Sequence, residues 1–264
     1  MKFALFNNNK IIATKGAIGV CPICESELIP KCGKVKVNHW SHKTKCTDTW
    51  HENETEWHRG WKDQFPSNWQ ELILFDSSGE KHIADVKTSE NIVIEFQHSR
   101  LSSDERQSRN DFYTINGKLI WVVDGNRIAR DIKQFQNMLE RCYLWQKLPF
   151  LLLSVKPSDE PQFVQDWKSK KSIVFVDFKN TIDTDNLFMI YPTHTAKHTL
   201  VSKLSRNLFV ELLISGKFNY FFDKQLTEIK SFIERKSKSI TKNNDGNLVL
   251  DGKLLYDKDL ASFF

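Results

Sequence analysis

No apolar run in this sequence of 264 residues reaches the roughly 18 residues that a membrane-crossing helix needs. No N-terminal window joins a basic start, a long apolar stretch and a small-residue cleavage site, so a soluble cytoplasmic protein is expected, with no membrane partner. Internal repeats and low-complexity tracts are missing too, and folding is expected throughout. Nor is there a large excess of one charge: the net charge is +5 and the pI near 8.8, which permits a nucleic-acid partner without demanding one. What is present is globular. Apolar residues make up 40%, charged residues 27% and aromatics 12%, with eight Trp and nineteen Phe, more than a disordered chain would carry. The length suits one domain of about 150 residues plus something smaller.

Four of the five cysteines, Cys21, Cys24, Cys32 and Cys46, crowd together beside His39 and His42, while Cys142 stands apart. In an intracellular protein that clustering favours a metal over disulfides. "CPIC" is a C-x-x-C knuckle, and a tetrahedral Zn²⁺ needs two more donors, drawn from His39, His42 and Cys46. If "NHWSH" is extended, His39 and His42 point to opposite faces, which favours His42 with Cys46; if it turns, both histidines can bind. Cys32 is left as a spare thiol. Four protein ligands leave no open position, so such a zinc would be structural. The lysines around it, Lys31, Lys34, Lys36, Lys43 and Lys45, offer a basic surface for a DNA backbone or simply a solvated face.

Three regions follow from the pattern: a zinc-binding module over 1–50, a central α/β domain over 51–148 and a C-terminal α+β accessory domain with a basic tail over 149–264. "ENETEWHRGWKDQ" reads as a helix from Glu52 to Gln64 ended by Pro66. "ELILF", "HIADVKT", "NIVIEFQ" and "LIWVV" read as strands, with a helix capped by Ser102 or Ser103 before the last of them. Another helix is expected from about Ile128 to Trp145. Further on, "FLLLSV", "SIVFVDF" and "LFMIY" read as strands, the stretch from Thr199 to Leu213 as helical, and "FDKQLTEIKSFIERKSKSITK" as one basic amphipathic helix and tail. His194 and His198 lack a third ligand and read as structural.

The chemistry lies in "HIADVKTSENIVIEFQHS". Strand alternation puts Val93, Glu95 and Gln97 on one face, and a hairpin turning near Glu90 sets Asp85 opposite Glu95, about 5 Å away. Two carboxylates that close repel unless something positive sits between them. Oxygen donors of this kind suit Mg²⁺ or Mn²⁺, which can activate water and stabilise charge on a phosphate. The alternative is ordinary: Asp85 pairs with Lys87 or His82, and Glu95 faces solvent. On the preceding helix Glu54, His58 and Lys62 recur at four-residue steps, with Trp61 close by, so one stripe offers a carboxylate, an imidazole and an ammonium. The same stripe also suits a surface laced with ion pairs, and Glu56 lies on another face.

"ENETEWHRGWK", "ADVKTSENIVIEFQHS" and "ERQSRNDFY…LIWVV" together resemble the competence protein CoiA-like family, whose central domain is a nuclease domain of the PD-(D/E)xK superfamily. The resemblance is strong over about residues 20 to 125 and looser beyond. It implies a restriction-endonuclease-like α/β fold, a mixed sheet flanked by helices, and metal-dependent hydrolysis of DNA phosphodiesters. Asp85 matches the superfamily's Asp, Glu95 its Glu, Glu54 the acid on its first helix and His58 the family's helix histidine. The resemblance thus implies Asp85 and Glu95 as metal ligands, Glu54 as a further acidic ligand or water-orienting group, and His58 as a proton shuttle or phosphate contact. Gln97 stands where the superfamily has Lys, as it does in the family itself. A neutral amide orients water but supplies no charge, which leaves Lys87 or Lys62 to do so. Ser99, Arg109 and Tyr113 match polar positions after the site, where Arg109 and Tyr113 could contact a phosphate or brace Glu95.

A Mg²⁺- or Mn²⁺-dependent deoxyribonuclease is therefore expected, acting in transformation, recombination or phage defence beside recombination or defence proteins. The alternative that Gln97 keeps open is an inactive, zinc-stabilised DNA-binding module; an RNA substrate is a third reading.

Overall fold

Alternating apolar residues bounded by turn residues give short strands throughout the chain, and the few 3.6-residue patterns give its helices. The computed structural model describes residues 1–50, 54–115, 117–145, 148–192, 198–242, 248–250 and 253–254, with side chains described as far as residue 235. The chain divides into two compact units, Met1–Val123 and Asp124–Phe264.

The first unit opens with five short strands, β1 (Phe3–Phe6), β2 (Asn9–Ile12), β3 (Gly19–Val20), β4 (Glu27–Lys31) and β5 (His39–His42). They pair antiparallel in the order β2-β1-β3-β4-β5. Asn7 and Asn8, both at positive φ, make the tight β1–β2 turn that a two-residue hairpin requires. The core of this sheet is small: Ala4, Ala13, Cys21, Ile23, Leu28, Trp40 and Cys46. So few apolar side chains bury little area, and a module of this size ordinarily needs a staple.

Helix α1 (Glu56–Lys62) follows, its N-terminus capped by Thr55, whose hydroxyl accepts the His58 amide at 3.2 Å. The helix expected from Glu52 to Gln64 is shorter: Glu52 and Asn53 lie outside the described residues, Glu54 stands before the Thr55 cap and so off the helix, and the helix ends at Lys62. The helix is anchored by Trp61, stacked on Phe96 at 5.7 Å. Strands β6 (Gln70–Phe75), β7 (Lys81–Lys87) and β8 (Ile92–Gln97) form an antiparallel meander. Helix α2 (Ser103–Tyr113), capped by Ser102, then carries the chain back to β9 (Lys118–Asp124), parallel to β8, as a parallel pair demands a crossover. The order is β9-β8-β7-β6. Every residue of β8 is buried, so both its faces are covered and the alternation of Glu95 and Gln97 does not bring them to solvent.

In the second unit α3 (Ala129–Arg141) leads to β10 (Tyr143–Leu144), β11 (Leu152–Val155), α4 (Gln162–Trp167), β12 (Ser172–Asp177), β13 (Asn186–Ile190), β14 (Thr199–Ser205), α5 (Arg206–Ile214) and α6 (Phe218–Ser239). The strands run antiparallel in the order β10-β11-β14-β13-β12. Phe135, Phe178 and Phe188 form one aromatic cluster, and Phe175, Phe209 and Phe218 another. The expected helix over Thr199–Leu213 is corrected here. Its first half is β14, paired along its length with β13, and the helix starts only after Ser205 caps it by accepting the Leu208 amide. "TLVSKLS" satisfies both periods, and the open edge of β13 decides between them. His198 is buried against Ser154, 3.1 Å away, while His194 lies outside the described residues. Short strands β15 (Ile240–Lys242), β16 (Leu248–Leu250) and β17 (Lys253–Leu254) pair antiparallel. The α/β class read from the sequence holds.

Candidate active site

Two groups of chemically active side chains lie in the first unit. The first is the cysteine cluster. Cys21, Cys24, His42 and Cys46 bring their donor atoms within 4.8 Å of one another. The Cys21 and Cys46 sulfurs are 3.8 Å apart, those of Cys46 and Cys24 3.7 Å, and Cys24 Sγ is 3.6 Å from His42 Nε2. A tetrahedron built on ordinary zinc bond lengths has edges of about 3.75 Å between sulfurs and about 3.6 Å between sulfur and nitrogen. The cluster therefore has the composition and the spacing to hold a zinc ion. The knuckle is locally built: Glu25 turns at positive φ, the Glu25 amide donates to the Cys21 carbonyl, and the Ile23 amide points to Cys21 Sγ. Burial pushes the Cys21 thiol up to about 12, whereas Cys24, though also opposed by burial, is brought down to about 6 by Ser26 and the neighbouring thiols. Packed this tightly and buried, Cys21 keeps its proton until a cation takes that proton's place.

Of the five zinc candidates, His39 drops out. Strand β5 is extended, so the two histidines alternate, and His39 Nδ1 meets the Val37 carbonyl at 2.8 Å instead. Cys32 packs against the module core as a free thiol.

The second group surrounds Asp85 and Glu95. Register pairs Val86 with Ile94 and Lys87 with Val93, which sets Asp85 across from Glu95, as the hairpin spacing predicts. There the β7–β8 ladder is rewired. Glu95 Oε1 accepts the Asp85 amide at 3.1 Å, and Asp85 Oδ2 accepts the Phe96 amide at 2.9 Å. Both carboxylates line one small cavity of about 60 Å³ together with Glu54, His58, Lys62, Glu71, Gln97 and Arg109. On the far side of β7, the register that joins Gln70 to Val86 and Leu72 to Ala84 sets Glu71 beside Asp85. Glu71, Asp85 and Glu95 thus form an acidic row across three adjacent strands.

Two cations neutralise the row. Lys62 is buried, with Nζ 2.8 Å from Glu54, 2.9 Å from Glu71 and 3.6 Å from Asp85. Its burial disfavours the charge, but Glu71, Asp85 and Glu54 outweigh that and hold its pKa above the usual lysine value. Burial likewise opposes ionisation of Glu54, yet Lys62 keeps it down to about 2. Arg109 Nη1 donates to Glu95 Oε2 at 3.4 Å, and its other nitrogens go to Glu105 and the Trp50 carbonyl. That contact does not fully compensate Glu95: burial first, then the Asp85 charge, push its pKa up to about 8.

The remaining candidates sort by contact. His58 Nε2 donates to the Phe96 carbonyl at 2.7 Å and Nδ1 is 3.0 Å from the Thr55 hydroxyl, so the imidazole ties α1 to β8. Gln97 donates to the Ser99 carbonyl and hydroxyl. Tyr113 donates to the Ile83 carbonyl and, like Lys87, lines a neighbouring cavity with Val93; burial raises its pKa, and the Glu95 charge raises it further, so its hydroxyl lies within electrostatic reach of the row. Three residues of the neighbourhood carry no motif in the sequence: Glu71, Asp48 and Trp50. Glu71 sits at φ 48°, an uncommon conformation for a non-glycine residue, and its carboxylate accepts the amides of Lys2 and Phe3. An acid opening the strand "ELILF" was the available hint.

No curated protein and no solved structure matches the chain. The family model described as competence protein CoiA, N-terminal domain, matches residues 7–48, and the one described as competence protein CoiA, nuclease-like domain, matches residues 80–207. The first span holds the cysteine cluster and the second holds Asp85, Glu95, Gln97 and Arg109, while Glu54, His58, Lys62 and Glu71 fall between them. With more than half of its length matched in this way, the chain belongs to the competence protein CoiA-like family.

Proposed function

We propose that this protein is a metal-dependent deoxyribonuclease whose site is the cavity around Asp85 and Glu95. One observation carries the reading: two carboxylates from neighbouring strands enter one cavity at a break in the ladder, beside a buried lysine. Their donor set fits Mg²⁺ or Mn²⁺, because each carboxylate keeps lone pairs beyond the single backbone amide it accepts. Bound there, such an ion supplies charge stabilisation on the phosphate and a water of lowered pKa.

The chain's own residues do the rest. Lys62, 3.6 Å from Asp85, contributes the positive charge that Gln97 cannot. Glu54 and Glu71 hold Lys62 in place, so Glu54 acts as a positioning group. Gln97, fixed by Ser99, orients water, and His58 fixes the height of α1 over β8. Cys21, Cys24, His42 and Cys46 hold a structural Zn²⁺ with no open position. The family points to DNA processing in transformation, recombination or phage defence, in the cytoplasm and beside recombination or defence proteins. Among the described residues no helix is long and apolar enough to cross a membrane.

A second reading, a DNA-binding module without catalysis, is favoured by Gln97 and by the saturation of Lys62 with carboxylates. Linear, circular and single-stranded DNA incubated with Mg²⁺ or Mn²⁺ separates the two. Cleavage by the parent protein that disappears in Asp85→Ala and Glu95→Ala is the expected result. Binding without cleavage selects the second reading, and cleavage that survives both substitutions removes the site assignment.

A further inference from the structure

Between the last cluster cysteine and α1 runs a short segment of irregular chain, Cys46–Trp50. It carries more buried polar contacts than a linker needs. Asp48 is almost fully buried; its Oδ1 accepts the Trp50 amide at 3.0 Å and meets His82 Nδ1 at 2.9 Å. Its Oδ2 accepts the amide of Ile83, two residues before Asp85 on β7, at 3.2 Å. Trp50 lies flat on the His82 ring, centroids 3.3 Å apart and planes 9° from parallel. The Trp50 carbonyl accepts Arg109 Nη2, and the guanidinium sits 5.6 Å from the Trp50 ring. Arg109 in turn donates to Glu95 Oε2, while Glu95 Oε1 holds the Asp85 amide.

From these contacts we infer that Cys46–Trp50 is a positioning strap: Asp48 and Trp50 couple the metal-binding cluster, through β7 and Arg109, to the geometry of Asp85 and Glu95. The inference rests on the reading of those two carboxylates as the functional pair. Its physical basis is continuity. Cys46 supplies a donor to the cluster, so filling the cluster fixes the start of the strap, and each further link to Glu95 is a hydrogen bond, an ion pair or a ring stack among residues that are mostly buried. An empty cluster leaves the strap's first residue unanchored, and Arg109 then loses the fixed carbonyl that aims it at Glu95. The zinc is thereby a condition for an ordered acidic site as well as a staple for the N-terminal sheet.

The amides of Asp85 and Phe96 report this geometry directly, because each is held by the opposite carboxylate. Site-resolved hydrogen exchange on the full zinc-loaded chain, with zinc content measured alongside, is the test. Asp48→Ala is expected to keep its zinc yet exchange both amides about tenfold faster. The amide of Ile120, in β9 of the same unit, should be unchanged and serves as the control for unfolding of the unit as a whole. Removing zinc with a chelator should act in the same direction. If Asp48→Ala does not fold, Trp50→Leu decides, since it keeps the acceptor carbonyl and removes the stack on His82. Parent-like exchange in a folded, zinc-loaded variant overturns the inference, as does a chain that binds no zinc. Failure of the nuclease reading shows separately, as absence of DNA cleavage in the parent protein whatever the exchange rates do.

Discussion

The Cys21/Cys24/His42/Cys46 cluster and the Glu54/Glu71/Asp85/Glu95 pocket both crowd together groups that repel when ionised, and they relieve the repulsion by opposite means. In the cluster the sulfurs are neighbours mainly of one another and of a few weak donors, so they either keep their protons, as burial favours for Cys21 and Cys46, or need a bound cation. In the pocket the protein brings its own cations, Lys62 and Arg109, and spends backbone amides on the carboxylates. The lesson is one of dependence. A site with no internal counter-charge gains the most from a metal of its own, whereas a site with built-in counter-charge does not need a metal of its own to offset its carboxylates.

The sharpest way to break that comparison is to remove metal from each site in turn. Cys21→Ser, or chelation of zinc, is expected to unfold residues 1–48, because the apolar core there is too small to stand alone. Loss of β-sheet signal in circular dichroism together with loss of one bound zinc per chain checks it. Stripping Mg²⁺ or Mn²⁺ should leave the spectrum untouched. If both treatments leave the fold intact, the cluster is not a staple.

Next in size is Lys62→Met. The ammonium answers three carboxylates in a buried site, so its removal strands negative charge and is expected to cost about 3–5 kcal/mol in urea unfolding. A loss under about 1 kcal/mol would mean that Glu54 and Glu71 find other partners.

A smaller effect of opposite sign is expected from Glu95→Gln. The folded-state pKa of Glu95 is raised from 4.5 to about 8, by burial and then by Asp85. Below the unfolded value the carboxyl is protonated in both states and costs nothing. As pH rises through this window the unfolded chain ionises first, so the folded state loses stability, and the loss is complete above about 8. Glu95→Gln should therefore melt a few degrees higher than the parent at alkaline pH, match it near pH 4.5, and lose DNA cleavage throughout. Added Mn²⁺ should erase the gap by stabilising the parent alone. A variant that melts lower at alkaline pH would show Arg109 to be the dominant influence on Glu95.

How far the sequence reveals these sites follows from the range of the interactions. The knuckle, the hairpin turn near Glu90 and the cap at Ser102 depend on residues a few positions apart, and spacing discloses them, whereas the Thr55 cap shows only in the structure. The choice of His42 over His39 also follows from alternation once β5 is known to be extended. Glu71, Asp48 and Trp50 are different. Glu71 matters because β6 lies beside β7 and because its backbone turns to positive φ, and neither is visible in "ELILF". Asp48 and Trp50 sit in what reads as a linker, and their role depends on His82 and Arg109, far along the chain. Lys62 lies between: the four-residue spacing does bring it to Glu54, though from a helix that starts only at Glu56, and only the packed sheet adds Glu71 and Asp85.

The smallest expected effect tests where the positive charge of the site comes from. Gln97 is buried, and its amide is already used on Ser99. If Lys62 supplies the charge, Gln97→Lys introduces a second cation near an occupied position and loses the Ser99 contacts, so single-turnover cleavage should stay within about threefold of the parent. If Lys62 is only a structural counter-ion, the same substitution restores a missing group and should raise the rate by about a hundredfold. The double variant Lys62→Met with Gln97→Lys separates the cases further. Recovery of cleavage in the double variant, relative to Lys62→Met alone, means that the two positions are alternative sources of one charge. No recovery in a double variant that is still folded at the assay temperature means that Lys62 acts from the helix in a way that a strand lysine cannot replace.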